Sequence, residues 1–150
     1  MSQAHVDTET IVADYDLDEP PHKVWRALTE PALMAAWLGA NDIEPIVGHR
    51  FRVASAPGAH GPVECEVLEA EPGRRLSYSW REARDGGATL DSEVTWILTP
   101  RFDGGTHLRL VHEGFVLSVG RVLALASVNL GLALRHRTFG GLARAFRLAA

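Results

Sequence analysis

The sequence holds a single cysteine, Cys65, in 150 residues. That scarcity excludes an internal disulfide and a thiolate metal site, and it fits a reducing, cytoplasmic setting. Positive charge is also in short supply. Fifteen Lys and Arg stand against 19 Asp and Glu, a net charge of -4, which argues against a general polyanion-binding surface and hence against a nucleic-acid partner. The first ten residues are polar, include Asp7 and Glu9, and lack the charged-then-apolar layout of a secretion signal. No segment repeats and no low-complexity tract is long enough to matter. There is no phosphate loop, no dinucleotide-binding glycine motif and no G-x-S-x-G elbow. His107 and His112 fall on opposite faces of one strand and no Cys or Asp cluster completes a ligand set, so neither a metal nor a cofactor is expected.

What is present fits one domain with a sizeable core: hydrophobic residues make up 46% of the chain and charged ones 23%, with no room for a second domain. Residues 1–8 read as a flexible leader and residues 9–150 as the domain. From Ile11, alternation puts Ile11, Ala13, Tyr15 and Leu17 on one side of a strand, while Asp14 and Asp16 share its solvated face. Pro20-Pro21 then opens a helix carrying Val24, Trp25 and Leu28. Thr29-Glu30-Pro31 restarts a second helix carrying Leu33, Met34, Trp37 and Leu38, capped by Thr29 or Glu30, with Gly39 as its stop.

Short strands follow, punctuated by Pro and Gly. Their inward residues by alternation are Phe51 and Val53, then Val63, Cys65 and Val67, then Leu76, Tyr78 and Trp80. Cys65, flanked by two valines, reads as a buried, inert thiol. The polar run between Trp80 and Leu90 reads as a loop. Next come Val94, Trp96 and Leu98, the turn Asp103-Gly104-Gly105, and an inward row of Leu108, Leu110 and His112, the last an ionisable ring where the pattern calls for hydrocarbon. Gly114 reads as the break that launches a long C-terminal helix from Val116. Residues 116–134 are nearly all apolar, with Leu123 on the stripe expected to face the core. Arg121 and Asn129 argue against a membrane span, so the helix is expected to cover the sheet, or else to lie on a surface or a partner.

Several stretches are similar to one family: Pro20 with V-W-R-A-L-T-E-P (24–31), Trp37, Gly48 with Phe51, V-L-E-A-E-P-G-R-R-L-S-Y-S-W (67–80), and V-T-W-I-L-T-P with G-G-T-H-L-R-L-V-H-E-G-F. Together they resemble the bacterial homologues of the heat-shock-protein-90 ATPase activator, within the START-like, polyketide-cyclase-like (SRPBCC) superfamily. The resemblance implies an α+β helix-grip (START-like, Bet v-like) fold. In it a curved antiparallel sheet wraps a long C-terminal helix, two short helices follow the first strand, and a cavity between sheet and helix often suits a hydrophobic small molecule. The C-terminal segment departs from the pattern, because Gly131 is followed by Leu132 where relatives commonly carry Gly-Trp.

Three functions follow as expectations. The first is non-enzymatic binding or sequestration of a hydrophobic small molecule, lined by Trp37, Phe51, Tyr78, Trp80, Trp96, Leu110, His112 and Leu123, since aromatic walls with few polar groups suit such a ligand. The second is a cyclase or dehydratase in which His112 moves a proton and Tyr78 polarises a carbonyl. The third is an interaction module that binds a chaperone or pairs as a homodimer. For the large aromatics, simple core filling is the competing explanation.

Overall fold

The computed structural model of the chain describes residues 4–5, 10–54, 61–83, 87–118 and 145–147. Period-2 alternation lays down seven antiparallel strands: β1 (Ala4–His5), β2 (Ile11–Leu17), β3 (Arg50–Val53), β4 (Val63–Glu71), β5 (Arg75–Ala83), β6 (Thr89–Pro100) and β7 (Thr106–Ser118). Their spatial order is β1-β7-β6-β5-β4-β3, with β2 also pairing β7. Helices α1 (Pro21–Thr29) and α2 (Pro31–Ala35) carry the chain from the β7 side of the sheet to the opposite edge, where β3 begins.

Proline at the first position starts both helices, where its missing N–H costs nothing. No side chain caps either one. Glu30 stands just before α2 but sends its carboxylate to Arg26 Nε at 2.7 Å, and Thr29 donates to the Trp25 carbonyl, so the expected cap is not formed. Trp37 Nε1 donates to the Ala27 carbonyl at 2.9 Å and ties the end of the second helix to the first. The pair buries Val24, Ala27, Leu28, Leu33 and Met34, each worth roughly 1–3 kcal/mol of burial.

The central hairpin follows the alternation. Trp96 pairs with Leu110, Leu98 with Leu108 and Val94 with His112, and all six side chains are buried. Edge strand β3 is blunted: the Arg52 N–H donates to Asp42 Oδ1 at 2.8 Å and the Ala54 N–H to the Ala40 carbonyl, which leaves less edge to template pairing.

Three further expectations change. First, β7 does not stop at Gly114. Between Asp91 and Glu93 the register slips by one residue, so Gly114 and Phe115 together oppose Ser92, and Gly114 takes φ +72. This is a bulge with glycine in its left-handed position, and the strand continues to Ser118. A helix therefore cannot begin at Val116, and the rest of the expected helix, residues 119–134 with Leu123, lies outside the described residues. Second, the stretch from Trp80 to Leu90 is not wholly loop: β5 runs on to Ala83 and β6 starts at Thr89, because cross-strand pairing of Arg81 with Asp91 outweighs the polar composition. Third, Ala4 and His5 within the expected leader pair with Leu117 and Val116. Asp14 and Asp16 stand exposed on the outer face, as expected, and pair there across the strands. Further along the chain, residues 145–147 are helical, and Ala145 and Phe146 are buried in the same core.

The turn at the end of the hairpin carries a steric requirement. Gly105 donates its N–H to Asp103 Oδ1 at 3.0 Å and lies against β2 so closely that a Cβ there would fall well inside contact distance of the Leu17 backbone oxygen. Thr106 Oγ1 donates to the Glu19 carbonyl at 2.7 Å, so this backbone is held from both sides. Gly105→Ala is expected to cost about 2 kcal/mol, as other insertions into packed structure do. Urea unfolding checks this: the midpoint should fall with the slope unchanged.

Candidate functional site

Strand alternation sends a row of rings to the inner face of the sheet. Phe51 on β3 meets Tyr78 on β5 edge to face, with centroids 5.2 Å apart, reaching over β4 where its paired residue is the small Cys65. Tyr78 lies 6.4 Å from Trp80, Trp80 lies 6.2 Å from His112, and His112 lies 4.6 Å from Phe115. Trp37 from the helical side packs edge to face on Trp96 at 5.4 Å. Seven of the eight residues expected to line a ligand are thus described, and Trp37, Phe51, Tyr78, Trp80, Trp96, Leu110 and His112 are all buried. Trp25, on the first helix, is only partly buried. Such edge-to-face pairs add about 0.5–1.5 kcal/mol each beyond area burial.

Most polar atoms along this row are engaged. Trp96 Nε1 donates to the Tyr78 hydroxyl at 2.9 Å, and Trp80 Nε1 donates to Glu82 Oε1 at 3.1 Å. His112 Nε2 lies 2.7 Å from Ser92 Oγ, which is also 3.4 Å from the Trp80 carbonyl. His112 Nδ1 is different: it is buried and, among the described residues, has no hydrogen-bond partner. Burial holds the His112 pKa down to about 3, so the ring is neutral at pH 7. Burial also pushes the Tyr78 phenol well above its ordinary value, against the opposing hydrogen bond from Trp96, and raises the Cys65 thiol, with Glu82 adding to the effect. Neither group ionises near neutrality.

Tyr78 and His112 both pair with Val94, from opposite sides, so two strand spacings separate them, roughly 10 Å. Each spends a polar atom on a neighbour rather than on the other. Sequence reasoning missed Ser92, Glu82 and Phe115. Glu82 was hidden in the polar run after Trp80, and Ser92 fell just before the alternating row, although Leu90, Ser92 and Val94 continue the alternation backwards. Phe115 turns inward because the bulge shifts the parity after His112, and a glycine inside a strand pattern is the signal for that shift.

On the outer face, His107 bridges β2 and β7. Its Nδ1 lies 3.0 Å from Asp16 Oδ1 and its Nε2 2.8 Å from Asp14 Oδ1, while Arg109 Nε donates to the same Asp14 oxygen at 2.8 Å. Asp16 first and Asp14 second raise the His107 pKa. Arg109 foremost lowers that of Asp14, and His107 lowers that of Asp16. Among the described residues no group of His, Cys, Asp and Glu is arranged to hold a metal ion, and no helix is long and apolar enough to cross a membrane.

With this geometry in hand, comparison places the chain among known proteins. The family model described as Activator of Hsp90 ATPase homolog 1-like protein matches residues 18–123. The crystal structure of protein MLL2253 from Mesorhizobium loti is 36% identical and superposes with a TM-score of 0.75 over 95% of this chain and 99% of that one. An HSP90 activator from Plasmodium falciparum, PFC0360w, is 18% identical with a TM-score of 0.60, over 71% of this chain and 74% of its own. DynU16, a protein of the dynemicin biosynthetic locus, is 23% identical with a TM-score of 0.60, over 89% of this chain and 48% of its own. These last two likenesses are of fold alone. No curated protein sequence matches.

The two histidines should respond to pH with opposite signs. His112 starts from an ordinary value of 6.5 and is held near 3 in the fold, so the unfolded chain binds the proton first. Stability should therefore be unaffected by His112 above about pH 6.5, fall by about 1.4 kcal/mol per pH unit below it, and level off near pH 3. His107 is raised above 6.5, so its contribution is present below that pH and is lost as pH rises through its folded value. Asp14 and Asp16 are lowered below 3.8, so theirs is present above that pH and is lost as pH falls through their folded values. NMR titration of the ring protons should show His107 titrating above pH 6.5 and His112 not titrating between pH 5 and 8.

Proposed function

The chain belongs to the Activator of Hsp90 ATPase homolog 1-like family, and from that premise we propose that it binds or sequesters a hydrophobic small molecule without transforming it. The ligand lies against the inner face of the sheet, in a cytoplasmic protein. The observation that carries this reading is His112 Nδ1, a buried polar atom with no hydrogen-bond partner among the described residues, on a wall lined mainly by rings. Apolar sites of this kind gain affinity from area and orient the guest through very few polar groups.

The cyclase alternative needs Tyr78 and His112 to act on one substrate. It has against it their separation across Val94, the hydrogen bond that the Tyr78 hydroxyl accepts from Trp96, and a neutral His112 whose Nε2 is already engaged by Ser92. The chaperone-cofactor and homodimer alternatives have no comparable observation behind them.

Native mass spectrometry of the protein expressed in a lipid-rich host should show an adduct of small-molecule mass, and a screen of apolar compounds should raise its Tm. Trp80→Ala, which opens the ring row beside His112, should weaken any such stabilisation at least tenfold in apparent affinity, about 1.4 kcal/mol. A protein that carries no adduct and is stabilised by no apolar compound would remove this reading.

A further inference from the structure

His107 is flanked at both ring nitrogens by groups that can only accept. Nδ1 lies 3.0 Å from Asp16 Oδ1, and Nε2 lies 2.8 Å from Asp14 Oδ1. An ionised carboxylate has no proton to give, so both contacts are hydrogen bonds only when each nitrogen carries a proton and the imidazole is a cation. Arg109 Nε meets the same Asp14 oxygen at 2.8 Å, so positive and negative charges balance in the cluster. On the other flank, β6 sets uncharged Thr99 opposite His107 and Ile97 opposite Arg109. Arg101, from the hairpin turn, is the further charge that acts on Asp16.

Removing one proton affects the two contacts unequally. Asp14 keeps Arg109, whereas Asp16 takes its side-chain hydrogen bond from His107. The remaining proton therefore belongs on Nδ1, and the bare Nε2 faces Asp14 Oδ1, acceptor against acceptor. The place of that repulsion decides what it loosens. β2 lies off the main path of the sheet and is paired with β7, and Asp14 and Asp16 are the charged residues of that strand. Its Leu17 end is tied down where Thr106 donates to the Glu19 carbonyl, so the half formed by residues 11–14 is the part left to lift. We propose that His107 is a proton-operated latch: doubly protonated it clamps β2 onto β7, and with one proton gone residues 11–14 open locally while the rest of the sheet stays closed. The latch needs no ligand. Asp16 and Asp14 raise the His107 pKa, so the latch stays shut until pH rises through that value. It loosens again at acid pH, where the two carboxylates take up protons.

Amide hydrogen exchange of the full chain, followed by NMR from pH 6 to pH 9 and corrected for the intrinsic rise of exchange with pH, tests the latch. Protected amides among residues 11–14, and those of β7 that face them, should lose about threefold in protection as His107 deprotonates, the factor expected of one exposed charge pair. Those of β4 and β5 should stay level. Nitrogen-15 shifts of the labelled histidine should place its last ring proton on Nδ1. His107→Arg, which keeps its charge throughout this range, should hold the protection of residues 11–14 constant, and His107→Gln should show the lowered protection at every pH. Equal loss in β2 and in β4 and β5 would mean global rather than local opening and overturns the latch. So does protection in β2 that ignores the titration of His107. A last proton on Nε2 overturns it as well, because Asp16 would then be the group released. The exchange profile and the tautomer are both read on the wild-type chain, so neither depends on a variant folding.

Discussion

The bulge at Gly114 constrains the rest of the inner face. By placing two residues of β7 against the single Ser92 of β6, it lets the strand bring His112 and Phe115, three positions apart, to the same side. An unbulged strand would turn Phe115 toward solvent and put Gly114 in the core. The imidazole would then lose the ring packed 4.6 Å away, and with it part of the burial that keeps it neutral. The left-handed backbone that this bulge needs is available to glycine at little cost, which ties the position to its residue type.

From that constraint the polar chemistry of the wall follows step by step. Ser92 sits opposite the bulge and reaches both His112 and the Trp80 carbonyl. Trp80 is held by Glu82, and Tyr78 by Trp96. Among the described residues, each of these buried polar groups is matched to a neighbour until the chain of partners ends at His112 Nδ1. Cores usually satisfy such groups, and a lone exception beside aromatic rings calls for a functional explanation more than a packing one. The outer face shows the contrast. There His107 takes two carboxylates, stays partly exposed, and serves to hold β2 against β7.

Much of this was legible in the sequence because period 2 is a strict rule. The inward rows Val94-Trp96-Leu98, Leu108-Leu110-His112 and Leu76-Tyr78-Trp80 follow from alternation alone, while the two helices follow from their opening prolines and the family resemblance from its own motifs. What alternation cannot carry is a change of parity. One extra residue at Gly114 reverses every inward assignment after it, so a strand extending to Ser118 reads as the approach to a helix. The polar run after Trp80 hid Glu82 for a related reason: composition suggested a loop, while cross-strand pairing of Arg81 with Asp91 made it sheet. The pairing of His107 with Asp14 and Asp16 joins residues some 90 positions apart, and nothing local announces it.

The central claim is that His112 Nδ1 is kept for a guest. A crystal structure of the protein as purified, at a resolution that orders buried waters, tests it most directly. The account predicts density for a small molecule against the inner face of the sheet, with a polar atom about 3 Å from Nδ1. A protein donor hydrogen-bonded to Nδ1 in a closed, fully packed interior would contradict it.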